Sequence, residues 1–441
     1  MGFLQTIPEL RHPAPGVELL CLPEPRFKRA QLGISLDLPL DGNRAARTLL
    51  SEVLQQGSAA HPTRRDLSRA LQEAYGASCS LYADRNGENH RIGVSLGWVG
   101  ERFLPKGTTI VPQLLKMVRQ LLEEPRRGED GSPFDLGVVE RERNLLLQRL
   151  AERKDDRPGY AEERFIRLMC NNEPYGLQAW DSSEAVAALT ANDLEKARVE
   201  LLATAKITAV VVGPCDPDII SDWLAEVFGG RANPAELPEI GRPVPGELRV
   251  VREELPMDQA QFHYGFRYPE PADKRAFEAL GFACSVLGGG SHGRLFRIVR
   301  EEKSLAYGIY AMQRVRKGLV TVAAGIDAGA YEEVRDEVDT QLADLQNNGP
   351  TAEEMEMALV NRLDRLRGLA DSGYELATYF VREHTLGLNR SPADRAELLQ
   401  DLKPAEIAEA ARLLVPDTVY LLAPPAEDES AANPEDVPAQ V

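Results

Sequence analysis

One succession of elements can be read twice in this chain, on either side of a segment rich in proline and glycine. That duplication restricts the fold more than any other feature. The segment, residues 231–246, reads RANPAELPEIGRPVPG, has no apolar period and is a linker by composition. Ahead of it, the alternation in Ala30–Leu38 predicts a strand, and the stripe Ala46, Leu49, Leu50, Val53 and Leu54 predicts a helix over 43–56. Thr63, an early acidic residue and a terminal Gly76 predict a second helix, followed by strands over 77–84 and 90–98. After the linker the order returns: a strand over 259–267, helices over 275–287 and 293–301, and strands over 305–311 and 319–326. Tyr82 stands eight residues before His90, and Tyr310 eight before Gly318. Likewise LTANDLEKA before ITAVVV matches LKPAEIAEA before TVYLLA. The expectation is two copies of one α+β unit, over residues 1–230 and 247–424, with 425–441 having the composition of a disordered tail.

A chain of 441 residues also exceeds what one core serves, which fits two domains. Its formal charge of −18 disfavours nucleic acid and anionic lipid as partners. No apolar run approaches the length of a membrane span, and the first residues lack the apolar core of a signal peptide, so a cytoplasmic protein is expected. The five cysteines are scattered without CxxC spacing and read as buried apolar side chains.

Several stretches invite chemistry. GGGSHG from Gly288 fits G-x-G-x-x-G, but it follows a helical stripe rather than a strand, so a tight turn between helices is the better reading. Ser291 and His292 are read as capping residues for the next helix. None of the six histidines has another three to five residues away, so no zinc site can be written on a single helix. The charged helix over 138–153 reads as a solvated face. Arg300 and Tyr307 stand seven residues apart, on the end of a helix and on the strand after it. A surface arginine pairing with Glu301 or Glu302, and a tyrosine packed on its sheet, are the plain alternatives for them.

LGGGSHGRLFRIVREEKSLAYGIYA, from Leu287, resembles the C-terminal signature of the pitrilysin/insulinase family of zinc peptidases, which includes the mitochondrial processing peptidases. The resemblance implies paired homologous domains, each a mainly antiparallel sheet packed with helices in a LuxS/metallopeptidase-like fold. It also implies that Arg300 and Tyr307 contact the peptide near the scissile bond. The stretch TLLSEVLQQGSAAHPTRRDLSRALQEAYGAS resembles the region of the metal helix, where active members carry HxxEH. Thr48, Ser51 and Glu52 occupy the His, Glu and His positions here, and Gln148 and Arg149 stand where the downstream glutamate ligand is expected. Every ligand and the general base are therefore replaced. Together with AYGAS at Ala74 and EPYG at Glu173, this places the chain nearest the inactive-subunit branch that lacks HxxEH.

The resemblance implies a non-catalytic subunit of a heterodimeric zinc metallopeptidase, with no metal or cofactor of its own and no catalytic residues when alone. An HxxEH-containing homologous subunit would supply the zinc, this chain would supply Arg300 and Tyr307, and a peptide would be the substrate. The alternative is a peptide-binding scaffold protein, with the strand over 77–84 accepting an extended peptide at a sheet edge.

Overall fold

The computed structural model describes residues 2–180, 182–231 and 234–425. The first half opens with strands β1 (Glu9–Ala14), β2 (Val17–Pro23) and β3 (Arg29–Pro39). Helices α1 (Arg44–Leu54) and α2 (Arg64–Glu73) lead into the hairpin of β4 (Ser78–Asn86) and β5 (Asn89–Val99). Then come α3 (Val111–Glu123), α4 (Leu136–Glu152), α5 (Arg157–Met169), α6 (Ser183–Ala188) and α7 (Ala191–Thr204). Strand β6 (Lys206–Gly213) and α8 (Pro217–Phe228) close the half. The second half begins with β7 (Arg249–Glu254), β8 (Ala260–Arg267) and α9 (Lys274–Gly288). A π-helical turn over Phe296–Glu302 leads to β9 (Ala306–Arg314) and β10 (Leu319–Ile326). Helices α10 (Tyr331–Asn348), α11 (Ala352–Gly368), α12 (Gly373–Thr385), α13 (Pro392–Asp401) and α14 (Pro404–Arg412) precede β11 (Val415–Ala423).

The sheets run β1-β2-β6-β3-β5-β4 and β7-β11-β8-β10-β9. Without β1 the two orders correspond strand for strand. The single parallel pairing also recurs in the same place, β2 with β6 and β7 with β11. The fold is therefore α+β, built from two homologous domains. Alternation sets the faces. Leu32, Ile34, Leu36 and Leu38 of β3 pack with Leu49 of α1, Leu114 of α3 and Leu194 of α7. Phe262, Tyr264 and Phe266 of β8 pack with Leu280 of α9 and Leu345 of α10.

The opposite faces are covered by exchange. Helix α5 of the first half lies on the second sheet: the Phe165 ring stacks on His263 at 5.2 Å, and Phe165, Ile166 and Met169 form one cluster with Leu319, Tyr420 and Leu422. Gly265 permits that approach, because a Cβ there would stand 2.5 Å from the Met169 sulfur. Reciprocally, Leu376, Ala377 and Phe380 of α12 cluster with Leu20, Leu22, Val210 and Val212 of the first sheet.

A buried charge network also joins the halves. Lys317, fully buried in the β9–β10 turn, contacts Glu88 of the β4–β5 turn and Glu173 at 2.6 Å. Glu173 accepts from Arg267 at 2.6 Å, and Arg267 donates to Asp417 at 2.7 Å. The linker has no regular secondary structure among its described residues, yet it is fastened: the Gly241 carbonyl accepts from Lys317 at 2.5 Å, and Arg242 pairs with Glu270 at 2.5 Å.

The glycine segment after α9 is a packing turn. A Cβ on Gly288 would stand 2.8 Å from the Ala311 nitrogen of β9, and one on Gly293 would stand 2.7 Å from the Gly288 backbone. The helix predicted over 293–301 becomes a π turn, with Lys303 N–H bonded to the Ile298 carbonyl at 3.0 Å. No side chain caps it; His292 instead lies 3.4 Å from Ser285 and 3.4 Å from Asn361. Strands β1, β2 and β7 and helices α6 and α13 are absent from the sequence-based expectations. Except for Pro425, the tail over 425–441 lies outside the described residues.

Candidate functional site

The residues that the resemblance sets at the metal-ligand positions lie on α1 and α4, which pack together in the first half. The stripe that buries Leu49, Leu50, Val53 and Leu54 also turns Thr48 and Ser51 inward, 7% and 1% exposed. The Thr48 hydroxyl donates to the Ala179 carbonyl at 2.8 Å and lies 3.3 Å from His90 Nε2. Ser51 donates back to the Thr48 carbonyl at 2.8 Å. Glu52 reaches across to α4 and pairs with Arg149 at 2.9 Å. Gln148 points elsewhere, to Glu152 on its own helix at 2.8 Å. Of the two candidates on α4, Arg149 is thus the one that meets α1.

This donor set does not fit a zinc ion. Zinc needs neutral imidazoles, thiolates or carboxylates converging on one point. Here two positions offer hydroxyls already spent on carbonyls, and the third offers a carboxylate held by a guanidinium that would repel a cation. Among the described residues no group of three His, Cys, Asp or Glu side chains is placed to hold a metal. The nearby His90 is fully buried; burial first, then Arg47, pushes its pKa down to about 3, so the imidazole is neutral. Its Nδ1 has no partner among the described residues.

Arg300 and Tyr307 lie elsewhere. The start of the π turn is anchored by the buried Arg294, which pairs with Glu354 at 2.8 Å and Asp344 at 2.6 Å, and its end by Lys303 with Glu337 at 2.6 Å. Between these anchors Arg300 is exposed, its guanidinium 4.6 Å from the Phe296 ring centre. Tyr307 sits at a bulge, where the β9–β10 register slips between Gly325 and Ile326. The bulge breaks the alternation, so Ala306 is buried while Tyr307 is 64% exposed. Its hydroxyl donates to Asp327 at 3.2 Å, which raises its pKa. Among the described residues neither alternative partner, Glu301 or Glu302, pairs with Arg300, and no hydrogen bond joins Arg300 to Tyr307.

These two groups of residues do not meet within the chain. Tyr307 is near the start of β9, roughly 24 Å along an extended strand from Arg314 at its other end. That other end leads into the turn whose Lys317 touches Glu88, two residues from His90 and the Thr48 pocket. The strand over 77–84 does lie on a sheet edge, since β4 is the last strand of its sheet. Two features escaped the sequence reading: the network around Lys317 and a cavity between the halves. Only EPYG at Glu173 gave any signal for the first.

The chain thus joins two corresponding α+β halves, and among the described residues its α1–α4 helix pair offers no zinc donor set. Comparison with known proteins finds metallopeptidase relatives. Residues 188–361 match the family described as Peptidase M16 inactive domain. The chain is 25% identical to the probable inactive metalloprotease YmfF of Bacillus subtilis over 401 residues, 90% of this chain and 93% of that one. In structure it resembles the peptidase M16 inactive domain from Pseudomonas fluorescens, with 17% identity, a TM-score of 0.78, and 95% and 98% of the two chains covered. It also resembles the periplasmic protease PqqL from Escherichia coli, with 16% identity and a TM-score of 0.67, covering 95% of this chain and 46% of that one. The chain is therefore similar over residues 188–361 to the M16 inactive domain, and over most of its length to a probable inactive metalloprotease. No helix among the described residues is long and apolar enough to cross a membrane.

Proposed function

We propose that this chain is the non-catalytic subunit of a heterodimeric zinc peptidase, contributing Arg300 and Tyr307 to an active site whose zinc, HxxEH ligands and general base belong to a homologous partner. The reading rests on one contrast. The Glu52–Arg149 ion pair occupies the expected metal positions, whereas Arg300 is exposed and unpaired among the described residues, and Tyr307 is exposed with its hydroxyl on the surface carboxylate of Asp327. A guanidinium with several fixed N–H groups and one phenol suit a peptide carbonyl oxygen that gains charge during hydrolysis. Length supports a paired assembly, since this chain spans 46% of PqqL. The separation between the pair and the replaced metal positions is also consistent with a site completed by a second subunit.

The test uses the purified chain, alone and mixed with an HxxEH-bearing homologue from the same cell, with a quenched fluorescent peptide library. We expect no hydrolysis by the chain alone and zinc-dependent hydrolysis by the mixture. Changing Arg300→Ala and Tyr307→Phe together should lower kcat roughly 100- to 1,000-fold, the usual cost of removing an oxyanion donor. Full activity of the double variant in the mixture, or zinc-dependent cleavage by this chain alone, would overturn the reading. A peptide-binding scaffold is the second reading, favoured by the position of β4 at a sheet edge with Tyr82 43% exposed. It expects peptide binding without turnover and without any homologous partner.

A further inference from the structure

A cavity of about 850 Å³ lies between the halves, on the inner face of the first sheet where α12 leaves β4 and β5 uncovered. The β9–β10 hairpin and α12 form its other walls. A recess of about 350 Å³ adjoins it, and the two share Gln313, Val315, Thr378 and Arg382. In a chain of formal charge −18, the walls of this space are rich in arginine.

Most of these arginines are satisfied. Arg85 lies over the Tyr175 ring at 4.1 Å and donates to the Tyr175 carbonyl at 2.5 Å. Arg91 pairs with Asp37 at 3.2 Å, and Arg314 with Glu162 at 2.5 Å. In the recess, Arg362 and Arg395 each pair with Glu278 at 2.7 Å.

Two are not. Arg316 makes no hydrogen bond or ion pair among the described residues, and burial first, then Arg91, lowers its pKa to about 10. Arg382 has Glu383 at 3.8 Å, but Arg390 already holds that carboxylate at 2.8 Å, and Arg382 Nε is buried without a partner. The acid in the main cavity wall is Asp84, whose buried Oδ1 is unpartnered and whose pKa burial raises. The recess adds Glu375. Arg316 is half-buried and the Arg382 side chain is 38% exposed, so each is partly withdrawn from water and gains when an anion joins it.

We propose that this cavity binds a ligand carrying at least two spaced carboxylates, either a short acidic peptide or a free di- or tricarboxylic acid, anchored by Arg316 and Arg382. Spaced single charges suit the site better than one compact multiple charge, because the two arginines sit on different elements and Asp84 shares the wall. Planar guanidinium forks match carboxylates in two-point contacts. Tyr82, Tyr374, Val94, Val210 and Ala377 offer surface for the body of such a ligand, and the volume is that of a small-ligand pocket. The site does not depend on the partner subunit proposed above.

The experiment is calorimetric titration of the full chain at low salt with four probes: a capped Glu-Gly-Glu-Gly-Glu peptide, its lysine counterpart, citrate and inorganic phosphate. We expect the acidic peptide or citrate to bind, and Arg316→Ala and Arg382→Ala each to weaken that binding tenfold or more. Arg316→Gln guards against a folding defect in the alanine variant. Removing Arg316 should also raise the melting temperature of the unliganded chain, since it relieves repulsion with Arg91 and Arg382; a merely structural arginine would lower it. Binding of the peptide alone or of citrate alone, with this arginine dependence, supports the site and identifies the source of the carboxylates. Binding of phosphate alone, equal binding of the lysine peptide, no binding, or binding indifferent to both arginines would overturn it.

Discussion

The helix pairs α1–α4 and α9–α11 occupy corresponding places in the two halves, and a glutamate–arginine contact links each. In the first, Glu52 and Arg149 form a single bridge with side chains 23% and 53% exposed. In the second, Glu278 is fully buried and meets Arg362 at 2.7 Å, Arg390 at 2.9 Å and Arg395 at 2.7 Å. Burial alone would raise the Glu278 pKa; Arg395, Arg362 and Arg390 together overcome it and hold it at about 2. A bridge as exposed as the first contributes about 0 to 1 kcal/mol, whereas removing one member of a buried cluster costs about 3 to 5 kcal/mol. The contrast teaches that Glu52–Arg149 adds little to stability. Its consequence lies in what it occupies, the positions that the resemblance sets against metal ligands.

Three measurements can break or sharpen this comparison. The largest effect is expected from Glu278→Ala, which leaves Arg362 and Arg395 without a carboxylate and Arg390 with Glu383 alone. Denaturant unfolding should show a loss of about 3 to 5 kcal/mol; a loss below about 1 kcal/mol would erase the distinction. The same variant should alter acid unfolding. The native pKa of Glu278 lies below its unfolded value of about 4.3, so the unfolded chain binds the extra proton between them. Its contribution is therefore complete above that unfolded value and is lost as pH falls towards 2, a dependence absent from the variant.

Next in size is restoration of a metal set. The fourfold variant Thr48→His, Ser51→Glu, Glu52→His and Arg149→Glu should take up zinc, gaining about 2.7 kcal/mol of stability at a free zinc concentration 100-fold above its Kd. No zinc-dependent shift in the melting temperature of a well-folded variant would mean that the helix pair has diverged in backbone as well as in side chains. The smallest effect is the double-mutant cycle on Glu52→Ala and Arg149→Ala, with an expected coupling below about 1 kcal/mol. A coupling above about 2 kcal/mol would make the first bridge structural after all.

What could be read from the sequence follows from how local each signal is. Helix α2 was legible because Thr63 and Asp66 form a reciprocal cap within four residues, and β3 because its alternation is intact. The same cap signal was present at α13, where Ser391 and Asp394 pair across the first turn, but no glycine closes that helix as Gly76 closes α2. Strand β7 was hidden by its charged sequence RVVREE, which suits an edge whose partner, β11, comes more than 160 residues later. The resemblance names Glu52 and Arg149 as expected metal positions, yet the ion pair joining them spans 97 residues and needed the packing of α1 on α4. The cavity was invisible for a related reason. Arg316 is notable for what fails to approach it, and nothing in its neighbours along the chain records that.

The crossed placement of α5 and α12 means that neither repeat is a self-sufficient folding unit, although each has its own sheet and its own core. A chain cut in the linker would leave Val210 and Val212 on one fragment, and His263 and Tyr420 on the other, facing water in place of a helix. The two fragments should therefore be poorly soluble when made separately and should recover native structure only when mixed. Such a pattern is what an ancestral single-repeat chain would leave behind had it first existed as an intertwined homodimer, with the linker later joining two copies that already depended on each other.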